Sequence, residues 1–390
     1  MTAYLFFQPF DVLFFRGNEA FGDPGQHGEA LMPPWPSVFS GALRSAILAA
    51  NPRVQLGLFS ELTRLDQIAD ARIREVIGTP REPGTFRVSF VALGTRSEVF
   101  VPAPADLLVW ADGDGDAKRA REVRRLVPTS LERFNLGAKS KNGVPFSFPH
   151  ELKYVLSARL PKEKPSSGWW LTQKGLEAYL GGEIPAAEDF VHSSRLWKLD
   201  DRLGIARSRE SFTVETGRIY TSSGVALAPG IGFIVGVEGV DEELLQTVKV
   251  VRLGGDGRGA EVVPWEGKIP ERPLANGEWL AVCLTPCVSP DGWKPPVPDG
   301  LSMVACTVPR PQVVSGWDLA AHQPKPAQAV IPPGSVFYFE GPAPQGQPFV
   351  VGLERWLQRE QSPRPAKYIW RQRLAEGFNL TLSGVWPKNH

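Results

Sequence analysis

Val250 to Glu261 reads VVRLGGDGRGAE, with Gly254, Gly255, Gly257 and Gly259 inside six residues and Arg252, Asp256 and Arg258 interleaved. Glycines at this density let a backbone take positive φ and approach a second molecule closely. Successive amides in such a loop can form a concave nest for a phosphate. Two phosphate motifs are excluded. No Gly-Lys-Ser or Gly-Lys-Thr follows, as a P-loop requires. Ala260-Glu261-Val262-Val263-Pro264 is a short strand pattern ended by proline, where a dinucleotide fingerprint needs a helix. Two readings remain, a mobile surface turn or a loop that holds a phosphate backbone.

The elements before this loop decide the fold class. Ala3 to Phe7 is a short apolar run, read as a buried strand. Ser37 is a good N-cap for a helix with Val38, Phe39, Leu43, Ile47 and Leu48 at helical spacing, stopped by Asn51-Pro52. Its small residues Ser40, Gly41, Ala42, Ser45 and Ala46 suit close packing on a sheet. Phe86 to Leu93 alternates as a strand, with Glu98 to Pro102 as its hairpin partner. Leu203 to Arg207, Ser211 to Tyr220 and Gly232 to Val237 predict a pair or triplet of antiparallel strands. Gly230 to Val235 meets an RNA-recognition RNP1 pattern only at Phe233. Asp241 to Lys249 is a short helix capped by Asp241, and it delivers the chain into the glycine loop and the next strand.

From Met1 to about Lys268 this order is βαββαβ, an α+β, ferredoxin-like (RRM-like) unit carrying an insertion over about residues 104–200. Within the insertion, Ala117 to Arg125 predicts a basic helix, and Trp169 to Gly182 a small helical segment with a glycine C-cap. A second unit, 269–390, repeats the logic degenerately. Trp279 to Thr285 reads as a strand, Gln312 to Trp317 and Gly334 to Glu340 as a later pair, and Val351 to Gln358 and Tyr368 to Ala375 as helices. Those helices lead into a glycine-bounded segment, Glu376 to Gly384. The expectation is therefore tandem ferredoxin-like domains with long insertions and Gly-rich loops.

Composition narrows the function classes. The chain has 390 residues and a formal net charge of +1, so a nucleic-acid surface must be a local patch, shared with partner subunits. Cys283, Cys287 and Cys306 suit neither a disulfide framework nor a four-ligand zinc site; they read as reduced core thiols of a cytoplasmic protein. The N-terminus lacks a basic region before its apolar stretch, and Gln8, Pro9 and Asp11 interrupt it, which argues against a signal peptide or membrane span. Asp112-Gly-Asp-Gly-Asp116 lacks the glutamate of a calcium loop and reads as a solvated turn.

Candidate nucleic-acid contacts gather at the glycine-rich corners. Arg16 and Arg44 flank the first strand–loop–helix corner, and His27 sits in its glycine-rich loop. Lys139 and Lys141 lie among Phe134, Phe146 and Phe148, a mixture able to hold phosphates and stack on bases. Arg207, Arg209 and Arg218 can serve either RNA or a protein partner.

Several stretches together resemble one family. They are Pro9 to Arg16 with Phe21-Gly22, Pro36-Ser37 with Gly41 to Arg44, Arg202 to Ile205, Gly217 to Thr221 and Leu253 to Arg258. In the second half they are Ser315-Gly316-Trp317-Asp318, Pro324-Lys325-Pro326, Pro333 to Val336 and Glu376-Gly377-Phe378-Asn379. Their shared order resembles the RAMP superfamily of CRISPR–Cas proteins, and within it the third-subunit family of the type III-B (Cmr) effector complex. The insertion between Pro104 and Asp200 is least covered.

The resemblance implies tandem ferredoxin-like domains and a non-catalytic role, without a cofactor or metal, in holding the 5′ handle of the crRNA for antiviral defence. It further implies docking on the large Palm-domain (polymerase-like) subunit and a neighbouring backbone RAMP subunit, and contact with target RNA only indirectly. The glycine loops, Gly254, Gly255, Gly257 and Arg258 in the first unit and Gly377 and Asn379 in the second, would then face the RNA.

A nuclease reading needs a general base and acid, usually histidines. Only His27 is placed for such work; His150, His192 and His322 have no obvious partner, and no carboxylate cluster or Ser-His-Asp arrangement declares itself. Binding without chemistry is the expectation, with a metal-independent RAMP endoribonuclease that processes crRNA, or a pure scaffold, as the alternatives.

Overall fold

The computed structural model describes residues 2–15, 27–28, 30–54, 67–68, 70–79, 81–130, 152–207, 213–272, 274, 277–318, 321–342, 345–359 and 366–387. The chain enters as β1 (Ala3–Pro9), passes the two-residue β2 (His27–Gly28) and reaches α1 (Pro36–Ala50). The cap of α1 is Trp35, not Ser37, because Pro36 takes the first helical position, where its fixed φ fits and its missing N–H costs nothing. A short α2 (Ala71–Val76) follows, capped by Asp70, whose carboxylate accepts the Arg72 and Ile73 amides.

Next come β3 (Arg87–Gly94) and β4 (Val99–Pro102), the hairpin that the alternation predicts. The insertion is more β-rich than its sequence suggests. It contains β5 (Leu107–Asp112), β6 (Arg119–Arg125), β7 (Val127–Ser130), β8 (Tyr154–Ser157), β9 (Trp169–Leu171), α3 (Gln173–Leu180) and β10 (Phe190–His192). The basic helix expected over Ala117 to Arg125 is the strand β6, paired with β5. Gly113 and Gly115, both at positive φ, turn the chain back, so its alternating charges face water on an exposed hairpin. Trp169 to Leu171 is likewise a strand, and only α3 behind it is helical, ending at Gly181 as expected.

A long hairpin, β11 (Trp197–Arg207) and β12 (Val214–Leu227), pairs with β2 in a sheet of its own. Then β13 (Gly232–Glu238) and α4 (Glu242–Gln246) precede β14 (Val250–Arg252) and β15 (Gly259–Pro264). The second half supplies β16 (Gly277–Cys283), β17 (Ser302–Thr307), β18 (Gln312–Val314), β19 (Trp317–Asp318), β20 (Gln323–Pro324), β21 (Gln328–Val330) and β22 (Val336–Gly341). It ends with α5 (Pro348–Arg359), α6 (Ala366–Glu376) and β23 (Thr381–Val385). The pair expected between Gln312 to Trp317 and Gly334 to Glu340 does not form: β18 pairs with β21 and β19 with β20, while β22 joins β16 and β17.

The architecture is mixed α and β, with predominantly antiparallel sheets and few helices. An eight-stranded sheet runs β10-β9-β4-β3-β13-β1-β15-β14, and a four-stranded sheet runs β17-β22-β16-β23. Four strands of the first, β15-β1-β13-β3, and all four of the second, β23-β16-β22-β17, share one order. Numbered along the chain within each set, both read 4-1-3-2, with every neighbour antiparallel. In the first set α1 and α2 lie in the connection from strand 1 to strand 2, and α4 in that from 3 to 4. In the second, α5 and α6 occupy the 3-to-4 connection, and no helix among the described residues occupies the first.

Burial explains the unbroken apolar run of β1. Leu5 and Phe7 point to a core beneath α1, where Phe39 meets Phe7 at 5.6 Å and Phe233 at 5.0 Å between ring centroids. Phe6 points the other way, into a core it shares with Leu280, Val282 and Tyr338 of the second sheet. Each fully buried aromatic or Leu contributes about 1.5–3 kcal/mol. The two sheets thus pack through a common core, and the chain passes from the first to the second between Pro264 and Gly277. A buried polar knot joins the same layers. Asp106 accepts from Tyr179 Oη (2.9 Å), Tyr338 Oη (2.6 Å) and Arg125 Nε (3.2 Å), and Arg125 also donates to the Tyr179 and Glu183 carbonyls. Cys283 and Cys287 are buried and Cys306 half-buried, as core thiols; burial pushes the Cys306 thiol up to about 11.

Candidate nucleic-acid interface

The glycine stretch is the turn of the β14–β15 hairpin. Leu253 N donates to Arg258 O at 2.7 Å, and Gly254, Asp256 and Gly257 lie at φ of +75°, +57° and +64°. The hairpin docks on the segment that leaves β1. Gly255 N donates to Phe14 O at 2.8 Å, Phe10 N donates to Gly259 O, and a Cβ on Gly254 would stand 2.6 Å from Phe14 O. The glycines therefore serve separate needs: Gly254 needs both positive φ and closeness, while Gly257 faces open space and needs only its φ. The Gly255 amide is committed to protein, whereas the Gly254 and Gly257 amides donate to no described backbone carbonyl.

Arg258 is tied down. Its Nη1 lies 2.6 Å from Asp11 Oδ2, and its guanidinium sits 5.5 Å from the Phe14 ring centroid, with Arg202 at 5.8 Å from the same ring. Asp11 also accepts from Val12 N. Arg258 is thus a clamp between the turn and the β1 exit rather than an uncommitted phosphate donor.

Arg252, at the end of β14, is exposed and makes no ion pair among the described residues; reading the glycines alone passes over it. It lines a groove of about 1170 Å³ between α1 and the hairpin. One wall is α1, where Gly41, Ser45 and Ala49 repeat every fourth residue and are all exposed. The small residues of α1 therefore divide: Ser40 and Ala42 pack inward as expected, and Gly41 and Ser45 keep the groove wide. The opposite wall is Val250, Arg252 and Gly254 to Asp256, and Trp35 and Trp317 also line the space.

Trp317 comes from the second half of the chain. Gly316 before it sits at φ +138°, and Asp318 after it is buried, accepting from Tyr368 Oη at 2.6 Å and Ala321 N at 3.0 Å. Lys325 N donates to Gly316 O at 2.7 Å, and Lys325 Nζ pairs with Glu376 at 3.5 Å. Buried Arg373 joins Glu376 to the Ser315 carbonyl. The motifs Ser315 to Asp318, Pro324 to Pro326 and Glu376 to Asn379 thus converge to build the mount of one exposed indole.

The other expected contacts divide. Arg44 does not line the groove: it donates to Phe86 O at 3.0 Å with its guanidinium 5.2 Å from the Phe86 ring centroid, and burial lowers its pKa against the opposing pull of Glu376. Gly377 and Asn379 are internal. Gly377, at φ +96°, lies so close to Val88 that a Cβ would clash. Asn379 is 0 % exposed, accepting from Val288 N and donating to the Val288 and Phe349 carbonyls. Both hold the β23 approach in place and have no face to offer RNA. The backbone of His27 pairs with Thr221 of β12, and Arg218 lies on β12; their side chains fall outside the described residues, as do Arg16, Lys139 and Lys141 altogether.

Among the described residues no group of three or more His, Cys, Asp or Glu is gathered for a metal. His192 is occupied by Ser194 and the edge of Trp169, and burial lowers its pKa. No described helix is long and apolar enough to cross a membrane.

A family model described as CRISPR-associated protein (Cas_Cmr3) matches residues 5–386. No curated protein matches the chain. Among solved structures, the chain is similar to one in the cryo-EM structure of the Type III-B Cmr-beta bound to cognate target RNA. The identity is 15 %, with 97 % of this chain and 96 % of that one covered, at a TM-score of 0.50. A counterpart bound also to AMPPnP gives 14 % identity, 96 % and 94 % coverage and a TM-score of 0.48. A chain in the crystal structure of the Csm3-Csm4 subcomplex of the type III-A CRISPR-Cas interference complex gives 13 % identity, 87 % and 94 % coverage and a TM-score of 0.33.

Proposed function

The chain belongs to the Cas_Cmr3 family of CRISPR-associated proteins, and on that premise we propose that it is a non-catalytic RNA-holding subunit of a type III-B effector complex. It binds the single-stranded 5′ handle of the crRNA in the groove between α1 and the β14–β15 hairpin. It docks on the large Palm-domain subunit and on a neighbouring backbone RAMP subunit, and serves antiviral defence. The observation that carries the reading is the groove itself: an exposed arginine, the positive-φ Gly254, whose amide donates to no described backbone carbonyl, and a helix face of small residues all border one open channel. Phosphates are satisfied by such donors, and single strands are the form in which RNA bases can be splayed and read.

The fold reading that goes with this function is two ferredoxin-like units in tandem. Its support is the repeated antiparallel 4-1-3-2 order, with the glycine hairpin delivering the fourth strand of the first unit.

The test incubates the purified full chain, with and without the large subunit, with labelled crRNA bearing or lacking its handle over a range of salt. Handle-dependent retention of intact RNA that falls with salt is expected, because phosphate contacts release counterions. Arg252→Ala should weaken binding and reduce the slope of log K against log salt by about one. Cleavage of the RNA would make the chain a nuclease, and salt-independent association with protein alone would make it a scaffold.

A further inference from the structure

We propose that Trp317 is a stacking platform for one unpaired base of the RNA, so that the second half of the chain reads a base while the first half holds the backbone. This rests on the RNA-holding reading of the groove and adds to it which residue grips a base.

Three features of the indole carry the inference. It is 56 % exposed and makes no ring contact with another described aromatic, so its apolar faces are largely solvated at a cost that burial would remove. It is held rigidly. The residue before it occupies a φ of +138° that favours glycine, and the residue after it is a buried aspartate fixed by a tyrosine hydroxyl and a backbone amide. A rotamer-poor ring on such a mount loses little entropy on stacking. Finally, it lines the same groove as Arg252 and the Gly254 to Asp256 turn. A protein surface could also cover an exposed indole. The groove favours nucleic acid, because it sets this ring beside Arg252, which makes no ion pair among the described residues, and a basic groove with stacking rings is the combination that single-strand binders use.

Stacking and phosphate contact differ in salt dependence, and this separates Trp317 from the rest of the groove. The experiment titrates the full chain with a short single-stranded RNA of handle sequence carrying 2-aminopurine at one scanned position, recording fluorescence and affinity at several salt concentrations. For the unaltered protein, one position should quench on binding. Trp317→Ala should abolish that quench and weaken binding about five- to 150-fold, with the salt slope unchanged; Trp317→Phe should restore most of both. Arg252→Ala should instead flatten the slope and keep the quench. Melting curves of both Trp317 variants should match the parent, since the ring is on the surface. Unchanged affinity and quench in Trp317→Ala would overturn the proposal. So would unchanged RNA affinity with lost association to the large subunit, which would make Trp317 a protein contact. Failure of the unaltered protein to bind the RNA would instead sink the holding reading, and the platform with it.

Discussion

Gly254 and Gly257 are three residues apart in one turn, yet their substitutions should differ. Both sit at positive φ, which costs an L-residue about 1–2 kcal/mol. Gly257→Ala meets open space, so it should lower hairpin stability by about that amount and leave RNA affinity nearly intact. Gly254→Ala adds a Cβ 2.6 Å from the Phe14 carbonyl, a backbone atom that cannot swing aside. The turn must lift off the β1 exit and lose the Gly255-to-Phe14 hydrogen bond, so RNA affinity should fall far more than with Gly257→Ala. Hydrogen exchange at Gly255 reads this directly; protection retained in Gly254→Ala would refute the account. The clamp makes a parallel prediction. Asp11→Ala and Arg258→Ala should each speed Gly255 exchange, and the double substitution should add little to either, since both act through one contact. Additive effects would show that Arg258 acts elsewhere.

Among elements, α2 and α4 are short helices whose caps are shared business. Asp70 caps the first and Asp241 the second, and Arg72 on α2 reaches across to Asp241. The Ile73 amide and the Asn51 side chain hold the Asp70 carboxyl below its usual range, and the hydrogen bond from Arg72 holds that of Asp241 below its own. Folded pKa values below the unfolded ones mean that the native state binds fewer protons. This stabilisation is complete above the unfolded pKa near 4 and is lost as pH falls through the lowered folded values. Replacing either aspartate by Ala should cost about 1 kcal/mol at neutral pH and shrink the acid-side loss of stability, measured by urea titration at pH 7 and pH 3. An acid limb equally steep in the variants would refute it. The Asp241 cap was legible in the sequence, because Asp241 precedes its helix at the expected spacing, whereas α2 and its Asp70 cap were not read there. Nor was the fate of Ala117 to Arg125: alternating charges suit a solvent-facing strand as well as a helix face, and only pairing with β5 decides.

For the whole molecule, local pattern revealed the order of elements and the glycine hairpin, while long-range contact determined what those elements do. Asn379 and Gly377 echo the first glycine loop in sequence, yet the second sheet packs on the first, and that packing buries them. Trp317 stands in a local motif, but its role as a groove wall depends on β19 being carried to α1, a contact no local window contains. The same long-range packing predicts how the chain unfolds. Phe6, Phe90 and Ile234 of one sheet share a core with Leu280, Val282 and Tyr338 of the other, and Asp106 ties Arg125 and Tyr179 to Tyr338 across the layers. Neither half can leave without exposing that core and a desolvated carboxylate. The full chain should therefore melt in one calorimetric transition, and a 277–390 fragment should fail to fold in isolation. Asp106→Ala strands Arg125 without the one carboxylate it pairs with among the described residues, and should destabilise the entire transition by about 3–5 kcal/mol, whereas Tyr338→Phe, which removes one of the three described donors, should cost about 1–3 kcal/mol. Two separable transitions, with Asp106→Ala shifting only one, would show instead that the halves are thermodynamically independent and merely touch.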